Sequence, residues 1–61
     1  DEGELERWVD EALAENPDEA RRFVAGEAKL TGFFMGQIMK KSGGKADPKR
    51  ASQMLRDRIA S

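Results

Sequence analysis

Residues 27–45, EAKLTGFFMGQIMKKSGGK, constrain this chain more than any other stretch. Within residues 32–39, two phenylalanines, two methionines and an isoleucine crowd together in a chain that is 38% charged. At 100° per residue, Leu30, Phe34, Ile38, Met35, Ala28, Met39 and Gly32 cover an arc of about 200° on a helix. A surface helix needs less than that. The pattern therefore predicts a central helix over residues 27–41, with neighbours on at least two sides. Gly32 and Gly36 each cost such a helix roughly 1 kcal/mol of propensity. Glycines at this spacing are expected where another backbone or a ligand comes close.

The rest of the chain reads as cover for that helix. Over residues 4–15, Leu5, Trp8, Val9, Ala12 and Leu13 fall at i, i+3, i+4, i+7 and i+8, which is one apolar stripe. Asn16 and Pro17 stop this first helix, because the residue before proline avoids the helical region. The same pair opens the second helix: Asn16 is a good N-cap, Pro17 suits the first turn, and Asp18 and Glu19 complement the helix dipole. Ala20, Phe23 and Val24 give it one apolar face, and Gly26 marks the junction with the central helix. Ser42, Gly43 and Gly44 end the central helix, as glycine just past a helix commonly does. Asp47 and Pro48 repeat the cap-plus-proline signature, and Ala51, Met54, Leu55 and Ile59 line a fourth helix. The expected fold is all-α, a small bundle of three to four helices with short connections, and residues 1–61 form a single domain.

Size and composition remove most chemistries. A domain of 61 residues buries only about 60% of the surface its unfolded chain exposes. The chain has no cysteine and no histidine, so neither a disulfide nor an ordinary zinc site supplements packing. The same absence removes the commonest nucleophiles and bases. No metal site and no catalytic residue is expected here. Asp10 and Glu11 read as a solvated face. No stretch reaches the length of a membrane span, and Lys29, Lys40 and Lys41 around the Gly32 and Gly36 pair argue against a membrane dimer motif. The chain opens on Asp1 without an initiator methionine, as expected of a piece excised from a longer, cytoplasmic protein.

Charge is distributed unevenly. Residues 1–19 carry nine acidic groups against Arg7 alone, whereas residues 20–61 carry ten basic groups against Glu27, Asp47 and Asp57. A net charge of −1 thus conceals a basic half. On the polar face of the central helix, Lys29, Gly36, Lys40 and Gln37 fall within about 100°, with Phe33 among them. Cations, an amide, an aromatic ring and bare backbone suit a nucleic-acid backbone or an unstacked base. Equally, the lysines form a solvated face and Phe33 packs beneath the first helix. The basic run continues through Lys45, Lys49 and Arg50. Amides around Gly43 and Gly44 suit an anion, yet no phosphate-loop pattern is present and a plain helix cap explains both glycines. Trp8, Met35, Met39 and Met54 offer a second reading, an adaptable groove for a partner protein, beside the simpler one that they belong to the core.

Asn16-Pro17, Phe23-x-x-Gly26-x-x-Lys29, Gly32-Phe33-x-x-Gly36-Gln37-Ile38-Met39-Lys40 and Gly44-Lys45-Ala46-Asp47-Pro48 together carry a resemblance. The chain resembles the C-terminal tail of the B subunit of aspartyl/glutamyl-tRNA amidotransferase, the GatB/YqeY module, from Trp8 to Ile59. Phe33, Phe34 and Met35 are bulkier than the aliphatic residues of that pattern. The resemblance implies a non-catalytic, tRNA-binding domain. It also implies a parent enzyme that converts Glu-tRNA(Gln) or Asp-tRNA(Asn) to the amidated form with ATP, magnesium and glutamine-derived ammonia, alongside other subunits. Lys29, Gln37, Lys40 and Lys45 match motif positions, and Lys49 and Arg50 extend the basic run. Gly26, Gly32, Gly36, Gly44 and Pro48 match its structural frame. The alternative is a docking module of the YqeY-like kind.

Overall fold

The computed structural model describes residues 2–59. Four α-helices follow one another, α1 (Glu2–Glu15), α2 (Pro17–Val24), α3 (Thr31–Ser42) and α4 (Pro48–Asp57), with a 3-10 turn at Ala28–Leu30 before α3. The described residues contain no strand, as the periodicity predicts. Helix α3 packs against both α1 and α4, while α2 lies against α1 and the 3-10 turn. The Cα radius of gyration, 10.3 Å, matches the roughly 10.5 Å expected of a compact chain of this length.

The core is built on α3. Phe34, Ile38 and Ser42, spaced by four, form its buried line, with Met35 and Met39 half-buried beside it. Leu5, Val9 and Ala12 meet it from α1, Ala51 and Leu55 from α4, and Phe23 from α2. The Phe23 and Phe34 rings lie 5.3 Å apart, tilted by 54°. Such a pair is worth about 0.5–1.5 kcal/mol beyond the area it buries. It anchors α2, of which Phe23 is the one fully buried residue. Val24, expected on the same inner face, is 43% exposed.

The start of α3 differs from the sequence expectation. Instead of beginning at residue 27, the helix begins at Thr31, and Ala28 and Gly32 are not buried inside the bundle. Arg22 is the reason. Its carbonyl accepts from the Glu27 backbone N–H at 3.1 Å, and its guanidinium holds the Glu27 carboxylate at 2.6 Å. Gly26, at φ 120°, turns the chain so that both bonds form. Glu27 is thereby fixed to the end of α2 and cannot start α3.

Helix ends follow local chemistry, with one change of partner. At Gly43 (φ 64°) the Gly43 N–H donates to the Lys40 carbonyl and the Gly44 N–H to the Met39 carbonyl. That bond pair is a Schellman cap, so a helix stop accounts for both glycines. Asp47 caps α4 as expected, its Oδ1 accepting from the Lys49 N–H at 3.0 Å. Asn16 occupies the N-cap position of α2 without a side-chain cap bond. Its amide instead donates to the Ala12 carbonyl at 2.9 Å, satisfying an orphan acceptor at the end of α1.

Ser42 was not legible as a core residue. Only 6% exposed, its hydroxyl donates to the Met39 carbonyl at 3.2 Å and accepts from the Ala46 N–H at 3.0 Å. The second bond folds the α3–α4 turn back onto the helix and seats Ala46 in the core. Ser42→Ala leaves that buried N–H without its acceptor. The expected loss is about 1–3 kcal/mol of unfolding free energy, measured by urea denaturation.

Candidate nucleic-acid interface

Opposite the buried line of α3 runs an outward one. Gly32, Phe33, Gly36 and Lys40 fall within about 100° of arc at 100° per residue, and Phe33 is the exposed large hydrophobic residue of α3. Gln37 sits at its border. Apart from the chain neighbours and the helix's own backbone, no atom comes within 4 Å of where a Cβ would stand at Gly32 or Gly36. The expected close approach of another backbone therefore does not occur within this domain. Phe33 is 37% exposed, and its ring meets Phe34 edge-on at 5.1 Å and 82°. The ring thus touches a core side chain and keeps part of its surface exposed.

The sequence-predicted cations fall into three places. Lys29 lies in the 3-10 turn, exposed, and not on α3 itself. Lys40 closes the outward line of α3. Beyond the Gly43 and Gly44 cap come Lys45, Lys49 and Arg50, all exposed. Lys45 and Arg50 face a shared groove of ≈ 410 Å³, whose other walls are Glu4, Leu5, Trp8, Ala46 and Asp47. Trp8 is the residue that sequence reasoning did not connect with this cluster. Its stripe position signals a core contact, and only the folded turn brings Lys45 beside it.

The acidic first helix has a definite electrostatic role. Lys41 Nζ sits 2.6 Å from Glu15 and 3.8 Å from Glu11, and Arg58 Nη2 lies 2.6 Å from Asp10. Asp10 and Glu11 are exposed as expected, yet they also link α1 to α3 and to the end of α4. Exposed pairs of this kind contribute about 0–1 kcal/mol each. Their larger effect is on charge: α1 engages Lys41 and Arg58 of the basic half. Among the described residues, Lys29, Lys40, Lys45 and Lys49 make no ion pair. The described residues also contain no cluster of three potential metal ligands. No described helix is long and apolar enough to cross a membrane.

Two measurements follow from this geometry. Gly36 lies inside a helix, faces outward and has open space where a Cβ would be, so Gly36→Ala should stabilise the fold by about 1 kcal/mol in urea. The second concerns Glu27, whose carboxyl is held below its ordinary range by the hydrogen bond from Arg22. Since its folded value is the lower one, this stabilisation is present above the unfolded value and is lost as pH falls through the folded one. In an NMR titration, Arg22→Ala should return Glu27 towards an ordinary carboxylate.

Comparison with known proteins places the chain. A family model described as the GatB domain matches residues 1–59. The B subunit of aspartyl/glutamyl-tRNA(Asn/Gln) amidotransferase from Thermosynechococcus vestitus is 54% identical over 55 residues, covering 90% of this chain and 11% of that protein. The protein of the same name from Parasynechococcus marenigrum is 56% identical over 55 residues, with the same coverage. That from Picosynechococcus sp. is 52% identical over 59 residues, 97% of this chain and 12% of the relative. The chain therefore spans about one-ninth of the length of these relatives. No solved structure matches. With its family model matched over nearly its whole length, this four-helix chain belongs to the GatB domain family.

Proposed function

We propose that this chain is a non-catalytic, tRNA-binding tail domain of an amidotransferase B subunit, acting in the cytoplasm as part of a larger enzyme. In this reading the parent converts Glu-tRNA(Gln) or Asp-tRNA(Asn) to Gln-tRNA(Gln) or Asn-tRNA(Asn). ATP and magnesium serve a site elsewhere in the parent, and other subunits supply the ammonia. The domain's own part is to hold the tRNA body. The names and identities of the relatives support the parent enzyme. The observation that carries the tRNA reading is the set of lysines left outside the ion-pair network, Lys29, Lys40, Lys45 and Lys49.

Those residues suit A-form RNA for a physical reason. Its sequence-bearing groove is too deep and narrow for side chains, so proteins hold it by phosphates, 2′-hydroxyls and shape. Lysines on a rigid helix and its following turn meet phosphates as point charges. The bare backbone at Gly32 and Gly36 lets a sugar-phosphate strand lie closer than any side chain would permit. Gln37 supplies a neutral donor and acceptor for a hydroxyl. Arg50 adds a guanidinium where α4 begins.

Binding of this kind is governed by counterion release and weakens steeply with salt. The test is fluorescence anisotropy of labelled tRNA with this chain across a salt series. Exchanging both Lys40 and Lys45 for alanine should weaken binding at every salt concentration and reduce the salt slope by about 2. A protein-docking module would instead bind its partner with little salt dependence and leave tRNA unbound. Affinity unchanged by the double substitution would remove these lysines from the interface.

A further inference from the structure

The groove beside Trp8 has a composition that the lysine contacts do not explain. The N-terminal half of α1 contributes Glu4, Leu5 and Trp8, the α3–α4 turn contributes Lys45, Ala46 and Asp47, and the first turn of α4 contributes Arg50. Leu5 and Ala46 are each only 4% exposed, so they form the floor and offer almost no apolar surface. What remains is the half-buried indole of Trp8, ringed by four charged side chains. A peptide anchored by leucine or phenylalanine needs an apolar slot, and this groove lacks one. An indole face beside cations is what an unpaired base and its phosphate require.

We propose that this groove takes a single unpaired nucleotide, its base stacked on Trp8 and its phosphate beside Lys45. The inference rests on the RNA reading above and adds a base-stacking subsite to it. Lys45 is exposed and makes no ion pair among the described residues, so its ammonium is available to an incoming phosphate. Arg50 extends the positive rim. On the same turn, Asp47 is oriented by its bond to the Lys49 N–H, and Glu4 stands exposed on α1. These carboxylates can accept from base amino groups or a ribose hydroxyl. The volume, ≈ 410 Å³, falls within the roughly 300–1,000 Å³ of small-ligand clefts. The wall is also held in place: the Ser42 hydroxyl fixes the Ala46 N–H at 3.0 Å, directly after Lys45. A fixed wall keeps the indole open and positions the cation beside it.

Trp8 is the single tryptophan of the chain, so its emission reports on this groove alone. The 61-residue chain is titrated with tRNA, with a single-stranded RNA pentanucleotide and with a short RNA duplex, while anisotropy of the labelled RNA records binding separately. Quenching of Trp8 is expected with tRNA and the single strand, but not with the duplex, whose bases are already paired. Trp8→Leu, which keeps an apolar side chain against the core, should weaken single-strand binding about tenfold, while Trp8→Phe retains most of it. Lys45→Glu, at an exposed position, should weaken it by roughly fivefold or more. Circular dichroism confirms that each variant is folded. If tRNA binds while Trp8 emission stays unchanged, the nucleotide subsite is wrong and the lysine reading stands. Equal quenching by the duplex also overturns the subsite. Quenching by the single strand without tRNA binding supports the groove and removes the tRNA reading. Binding by none of the three RNAs overturns both.

Discussion

The fold depends on burying one edge of α3. Phe34 and Ile38 are completely enclosed, with α1 and α4 packed against α3 and α2 reaching it through the Phe23–Phe34 ring contact. Fully burying side chains of this kind is worth about 1.5–3 kcal/mol each, which matters greatly in a domain too small for a second core. This burial also decides which side of α3 is left open. An α-helix that gives one side to three neighbours has only the opposite side to offer a partner, and there stand Gly32, Phe33, Gly36 and Lys40. The core therefore aims the outward line by geometry, without a dedicated scaffold.

Electrostatics refines this division. A chain with an acidic first third and a basic remainder risks folding into complete internal neutralisation. The observed pairing is partial. Glu11 and Glu15 engage Lys41, at the border of the α3 core line, and Asp10 engages Arg58 at the end of α4. Lys40, one residue earlier, points about 100° away from Lys41 around the helix. Adjacent lysines are thus split between an internal role and an outward one. The helix period makes that split.

How much of this was legible depends on the distance over which each decision is made. Asp47 with Pro48, and Gly43 with Gly44, carry their structural consequences within a few residues, and both behave as the sequence implies. The apolar stripes of α1 and α4 were equally readable. Errors arise where a second partner competes. Asn16 caps the end of α1 in preference to the start of α2, and Arg22 draws Glu27 out of the central helix. Contacts distant in sequence left no signal at all. Lys41 meets Glu15 across 26 positions, Arg58 meets Asp10 across 48, and Lys45 meets the Trp8 groove only after the turn has folded. Ser42 escaped notice because its value lies in one hydroxyl bonded to two backbone groups, not in hydrophobicity.

The glycines of residues 27–45 separate structural need from something beyond it. Gly43 and Gly44 adopt positive φ in the cap, so side chains there would be strained. Gly32 and Gly36 have no such justification, since their conformation is ordinary, they sit within a helix and no neighbour would meet an added Cβ. Gly36, inside the helix, lowers stability by about 1 kcal/mol relative to alanine, in a domain whose margin is thin. A local preference violated with no gain to the fold is the pattern expected of a surface that meets a partner. Of the two approaches expected at these glycines, that of another backbone does not occur within this domain, and that of a ligand belongs to the RNA contact proposed above. The bare backbone is not filled by this domain, and it lies on the face that the core turns outward.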